Sequence, residues 1–173
     1  KIKGLYIISN KIFKDKRGLF INLFSDNKIK KKIKFSRVKK GYLSNNKKKY
    51  TLRGFHYQTG KYSEGKIITC LNGEIFNVVL DLRKRSKTYL QKQQIKLNSN
   101  KIQSLFIPKG CANAFLTMKD NTIVHYYVDQ NYYPKFAKGI KYDDPVFKVN
   151  WPKKPKIISK KDLSWEYIDK KLF

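Results

Sequence analysis

Apolar and polar residues alternate in short stretches along most of the chain, and the stretches are bounded by Gly, Pro, Asn and Asp. Alternation with period two over four to eight residues predicts strands rather than helices. The pattern places strands at Leu5–Ile8, Leu19–Phe24, Phe35–Leu43, Thr51–Tyr57, Lys66–Leu71, Glu74–Leu82, Tyr89–Leu97, Ser104–Ile107, Ala114–Met118 and Ile123–Val128. Turns are expected at Asp15–Gly18, Asn72–Gly73, Asn98–Asn100, Pro108–Gly110 and Asp120–Asn121. Helical spacing is confined to Ser25–Ile33 and Asp162–Lys171, each read as a short peripheral helix. So many short strands predict an all-β sandwich or barrel. There is no internal repeat and no linker, so residues 1–173 are expected to form a single domain. The Lys-rich end after Pro152 reads as a surface excursion that packs back through Trp165.

Alternation also sorts the faces. In Ile123–Val128, residues Val124, Tyr126 and Val128 share one face, and Ile123, His125 and Tyr127 share the other. Lys66 falls in line with Ile68 and Cys70, which makes it either a lysine inside the barrel or a strand-end lysine reaching solvent. In Thr51–Gln58, Arg53 and His56 are three apart and belong to opposite faces unless a bulge intervenes; Gly54 between them permits one.

Composition narrows the setting. Hydrophobic residues make up 40% of the chain, enough for a real core and too many for a disordered segment. Two cysteines, Cys70 and Cys111, cannot make a disulfide scaffold. No apolar run approaches the roughly 20 residues of a membrane span, and nothing at the start reads as a signal peptide. A cytoplasmic protein with no membrane partner is expected. The chain opens on Lys1 rather than Met, so a short preceding leader is expected. The net charge of +28 points either to an anionic partner or to Lys-rich coding bias. With 35 Lys against 5 Arg, a nucleic-acid partner is not expected, because base and phosphate recognition leans on Arg. Two histidines are too few for a metal site built from several His ligands, and no G-x-G-x-x-G occurs, so neither metal nor cofactor is expected.

Several segments carry more than pattern. These are Asp15–Phe20 (D-x-R-G-x-F), Leu52–Gln58 (L-R-G-x-H-Y-Q), Glu64-Gly65-Lys66, Gly73–Arg83 followed by Ser86–Tyr89, and Asp144–Pro152 (D-P-x-F-x-x-x-W-P). Together, and in this order over nearly the whole chain, they resemble the dTDP-4-dehydrorhamnose 3,5-epimerase family. The resemblance implies a dimeric cupin-type jelly roll, a double-stranded β-helix. It implies an epimerase acting without a cofactor on a nucleotide-diphosphate-linked 4-keto-6-deoxy sugar, inverting C3, C5 or both, in deoxysugar or cell-surface polysaccharide biosynthesis. A 3-only or 5-only epimerase and a catalytically silent sugar-nucleotide binder are the alternatives.

By the same resemblance His56 is the general base and Asp144 its carboxylate partner. The carbons flanking a ketone carry acidic hydrogens, and imidazole titrates in the right range to remove them. A carboxylate on the far ring nitrogen fixes the tautomer and stabilises the imidazolium. Tyr126 matches the tyrosine that returns a proton on the opposite face, and Lys66 matches a lysine beside the sugar's 4-oxygen, where an ammonium stabilises an enolate. Arg53 and Tyr132 match diphosphate contacts, and Gln58 and Asn113 fall at substrate-contacting positions. Arg17 and Phe20 match residues that reach a neighbouring subunit's nucleotide. Taken by themselves, each has a plain alternative: Asp144 a turn residue before Pro145, Tyr126 core packing, Arg53 a surface ion pair, Arg17 and Phe20 a hairpin. The chain departs from the family where Asn113 replaces a histidine, since an amide donates a hydrogen bond but does not titrate, and where Asn22 replaces a glutamate.

Overall fold

The computed structural model describes residues 1–25 and 33–168. Strands β1 (Tyr6–Ser9), β9 (Gln103–Ile107), β6 (Lys66–Asn72), β11 (Thr122–Val128) and β4 (Lys40–Asn46) form one sheet in that spatial order. A second sheet runs β12 (Ala137–Gly139), β5 (Thr51–Gln58), β10 (Cys111–Thr117), β7 (Glu74–Asp81) and β8 (Lys92–Asn98), with β13 (Ile157–Ile158) added in parallel on β5. Among the described residues, strands β2 (Ile12–Asp15) and β3 (Gly18–Ile21) pair only with each other. The helix α1 (Lys160–Leu163) is a single turn. Apart from β13, these are two antiparallel sheets whose neighbours are mostly distant in sequence; they make the sandwich the strand pattern predicted and the jelly roll the family resemblance implied.

The period-two pattern decides what each sheet buries. On β7, Ile75 and Val79 face the space between the sheets, where they meet Ile68, Cys70, Leu97, Leu105 and Val124. Val78 and Leu80 face the other way, onto Phe55, Ala112, Ala114, Ile140 and Phe147. The segment 140–147 therefore roofs the outer face of the second sheet. The outer face of the first is roofed by Ile33 and Phe35 against Ile67 and Phe106. That roof corrects the strand expected at Phe35–Leu43: the buried Phe35 ring is needed as a cover, and the strand starts only at Lys40. The turn expected at Asn72–Gly73 is present: Gly73 (φ +81°) turns β6 directly into β7. The helix expected at Ser25–Ile33 falls mainly on residues 26–32, outside those described. The helix expected at Asp162–Lys171 starts two residues earlier and ends at Leu163; residues 169–171 lie outside the described ones.

Candidate active site

At one end the sheets part around a cavity of about 600 Å³. The first sheet supplies Lys40, Tyr42, Lys66, Tyr126 and Val128 to its wall, and the second supplies Arg53, His56 and Gln58. The C-terminal excursion closes a third side with Ile158, Lys161, Asp162 and Trp165.

The expected bulge brings Arg53 and His56 to this cavity together. Asn113 pairs with His56 and Phe115 with Arg53, so β5 spends one residue more than β10 over the same length. Gly54 takes up the difference at φ +111°, and a Cβ there would lie 2.5 Å from the Asn113 carbonyl oxygen. Only glycine fits that crossing.

His56 Nε2 lies 2.6 Å from Asp162 Oδ1. The other carboxylate oxygen accepts the Gly54 amide at 3.1 Å. Asp162 is nearly fully buried and reaches the dyad because of three local choices. Strand β13 aligns Ile157 and Ile158 beside Thr51 and Leu52. Ser159 then caps α1, its Oγ accepting the Asp162 amide at 3.0 Å. Finally the Trp165 indole lies flat on Gly139, where a Cβ would come within 2.2 Å of the ring, and Gly139 pairs with His56 across β12 and β5. Burial works to raise the Asp162 pKa. The hydrogen bond and charge of His56, the Gly54 amide and the adjacent Trp165 indole together outweigh it, and the net direction is down. The carboxylate is thus ionised beside an imidazole, the arrangement that orients and supports a base.

Asp144 does not reach this site, which corrects the expected partner of His56. Its oxygens accept the amides of Val146 at 2.8 Å and Ile168 at 2.6 Å. It is a buried turn carboxylate that ties Ile168 to the turn at residues 144–147. Sequence spacing does not single out Asp162, because its contact with His56 spans 106 residues. The available signal was Ser159-x-x-Asp162, a capping pattern at a helix start.

Opposite the dyad, Lys66 is buried against Glu64, Nζ to Oε1 2.9 Å, so it lies inside the barrel rather than reaching solvent. Burial raises the Tyr126 pKa, Arg53 lowers it and Glu64 raises it, with a net upward shift. Gln58 lines the cavity, but its amide is engaged: Nε2 donates to Tyr62 O, Glu64 Oε2 and Asn131 O, and Oε1 accepts Tyr133 N at 2.7 Å. It braces the rim loops instead of offering free donors. Asn113 is not among the lining residues; it is buried, and its Nδ2 donates to Asn77 Oδ1 at 2.7 Å and to Val78 O at 3.2 Å. Tyr132 stands on the rim, half-exposed, beside Lys161. Arg17 and Phe20 sit on the β2–β3 hairpin and do not line this cavity. Arg17 pairs with Asp15 at 2.6 Å, and Phe20 is 71% exposed. His125 faces away, its ring edge-on to Tyr127. Among the described residues no group of three His, Cys, Asp or Glu is placed to hold a metal ion, and no helix is long and apolar enough to cross a membrane.

The two-sheet jelly roll is a cupin-type fold, and a His–carboxylate pair, phenols and a lysine line the cavity at its end. The sequence model of dTDP-4-dehydrorhamnose 3,5-epimerase matches residues 1–170. The chain is 33% identical over 171 residues to a dTDP-4-dehydrorhamnose 3,5-epimerase of Methanothermobacter thermautotrophicus, covering 95% of this chain and 90% of that protein. The crystal structure of the enzyme from Bacillus anthracis, with TDP and PPi bound, superposes with a TM-score of 0.91 at 28% identity, covering 97% of this chain and 99% of that one. The Legionella pneumophila enzyme, solved in complex with dTDP-4-keto-L-rhamnose, superposes with a TM-score of 0.91 at 30% identity over 99% of this chain and 93% of that one. The chain belongs to the dTDP-4-dehydrorhamnose 3,5-epimerase family and is an isomerase.

Proposed function

We propose that this protein epimerises a dTDP-linked 4-keto-6-deoxy sugar at carbons flanking the ketone. The observation that supports this best is one cavity with a base on one wall and acids on the other: His56 with Asp162 on one side, Tyr126 and Lys66 on the opposite sheet. Its relatives' bound nucleotide and sugar nucleotide favour a substrate of the same chemistry.

In this reading His56 removes the C–H proton and becomes an imidazolium held by Asp162. The electron pair moves onto the carbonyl oxygen, and the Lys66 ammonium, buried against Glu64, supports the enolate. Tyr126 returns a proton on the other face of the ring. Proton removal beside an existing ketone calls for no hydride carrier. Arg53, Lys161 and Tyr132 stand at the mouth, where cationic and phenolic donors suit a diphosphate.

The β2–β3 hairpin belongs to the same reading. Leu19 and Phe20 are exposed on a ribbon that pairs with no other strand among the described residues. A homodimer in which Arg17 and Phe20 complete the partner's cavity gives them cover and a role. Light scattering at micromolar concentration should find a dimer, and a monomer there would remove this part of the reading.

The direct test is incubation with dTDP- and GDP-linked 4-keto-6-deoxy sugars in deuterium oxide, reading deuterium at C3 and C5 by mass. Exchange on the dTDP sugar is expected, and the carbons labelled report which centres are inverted. Because general acid–base groups typically contribute ~10²–10⁴ in rate, His56→Ala should lower exchange by at least about 100-fold. Tyr126→Phe should keep exchange and lose doubly inverted product. Near-normal exchange in His56→Ala would show that the base is elsewhere.

A further inference from the structure

We propose that Tyr42 is a second proton donor of this site, so that Tyr42 and Tyr126 each serve one of the two carbons flanking the ketone. The proposal rests on the epimerase reading above and adds a residue to it. Tyr42 on β4 stands directly opposite Tyr126 on β11 in the strand register. Their rings are 5.2 Å apart between centroids and inclined by 31°, side by side on the wall that faces His56. Among the described residues neither hydroxyl has a protein hydrogen-bond partner, so both are available to a ligand. A phenylalanine would fill the same space; the hydroxyl adds a transferable proton.

The chemistry asks for two such groups. The two acidic carbons lie on either side of the carbonyl, and a phenol fixed on a rigid strand approaches one of them best in a given pose. Two neighbouring phenols cover both carbons without turning the sugar over. At each centre His56 takes the C–H proton and the electron pair passes to the carbonyl oxygen. The phenol O–H then protonates the same carbon from the opposite face as the ketone re-forms. This leaves an imidazolium and a phenolate, which are restored by net proton transfer from one to the other through solvent. The surroundings suit sequential use. Burial raises the pKa of Tyr42 first, and the charges of Tyr126, Glu64 and Tyr132 raise it further. Ionising one phenol therefore disfavours ionising its neighbour, and each carries its proton at neutral pH.

The test compares wild type, Tyr42→Phe and Tyr126→Phe in deuterium oxide with dTDP-4-keto-6-deoxyglucose, resolving label and configuration at C3 and C5 separately by NMR. Tyr→Phe keeps the ring, and thermal melts check that each variant is folded. Tyr42→Phe should lose at least about 10-fold in inversion at one carbon, Tyr126→Phe should lose inversion at the other, and both should keep label exchange at the two carbons through His56. Inversion at both carbons within about twofold of wild type in Tyr42→Phe would reduce Tyr42 to a wall residue and overturn the proposal. Loss at the same carbon in both variants would overturn the division between them. An absence of exchange in the wild type is a separate result: it would overturn the epimerase reading, and this proposal with it.

Discussion

Asp162 and Asp144 are both buried carboxylates, and what separates them is the partner each oxygen has found. Asp162 spends one oxygen on the His56 imidazole and one on the Gly54 amide, while Asp144 spends both on backbone amides. Substituting each by asparagine should therefore give different failures. Asp162→Asn keeps the shape but removes the negative charge that supports the imidazolium, so turnover should fall at least about 100-fold. Asp144→Asn should leave turnover intact and cost about 1–3 kcal/mol of stability, because the new amide N–H faces a backbone donor. Denaturant melts and turnover measurements on both variants separate the two outcomes. The contrast also marks the limit of what the sequence discloses. An Asp-Pro pair in a recognisable motif drew attention to Asp144, but sequence spacing cannot say which carboxylate meets His56 when the contact closes a loop of 106 residues. Tyr42 was hidden for a related reason. In a chain with 12 tyrosines it stands out only when β4 is laid beside β11.

At the scale of elements, the bulge in β5 was legible because its elements are local: Arg and His three apart on a strand, with a glycine between. Gly54 is also the least replaceable residue of that strand. A Cβ would meet Asn113 O at 2.5 Å and Ala114 Cα and Cβ at 2.8 Å, on backbone already at φ +111°. Gly54→Ala should cost on the order of 3 kcal/mol, from overpacking and backbone strain together. Because Arg53 and His56 flank the bulge, the folded remainder should also turn over more slowly. Gly60→Ala is the control: φ is +59° there, but nothing lies within 4 Å of the new carbon. It should cost about 1–2 kcal/mol and leave turnover intact. Equal melting temperatures for the two variants would contradict this account of the bulge. Elements that escaped the pattern did so for want of length. Strand β12 has three residues and β13 two, too few to show alternation, and both exist because β5 offers them an edge.

The whole molecule carries its +28 charge on a fold anchored by a few buried carboxylates, which gives it a defined response to acid. Asp81 is fully buried at the end of β7. It accepts Arg83 Nε at 2.7 Å and Nη2 at 2.8 Å, and the hydroxyls of Ser86 and Thr88 at 2.6 Å each. Arg83 in turn donates to Lys3 O, so this knot ties the N-terminal segment to the second sheet. Burial alone would raise the Asp81 pKa; the Arg83, Ser86 and Thr88 contacts overcome it and hold the group down to about 2, against an ordinary 3.8. A carboxyl with a depressed folded pKa contributes stability that is fully present above its unfolded pKa and is lost as pH falls toward the folded one. Here that window runs from roughly pH 4 down to about 2. The contribution is on the order of 2 kcal/mol, which for a chain of this length corresponds to roughly 4–8 °C in Tm. Protonating carboxylates also removes the few charges that offset the lysines, so self-repulsion among the cations grows over the same interval. The two effects respond differently to salt, since screening relieves repulsion between exposed charges and hardly touches a buried pair. Thermal melts between pH 7 and pH 2, at low and high salt, should show Tm falling below pH 4, with salt recovering only part of the loss. Asp81→Asn should lower Tm at pH 7 and flatten the part of the acid fall that salt does not recover. An acid fall equally steep in Asp81→Asn would place the transition in other carboxylates, with Asp162 the first to examine.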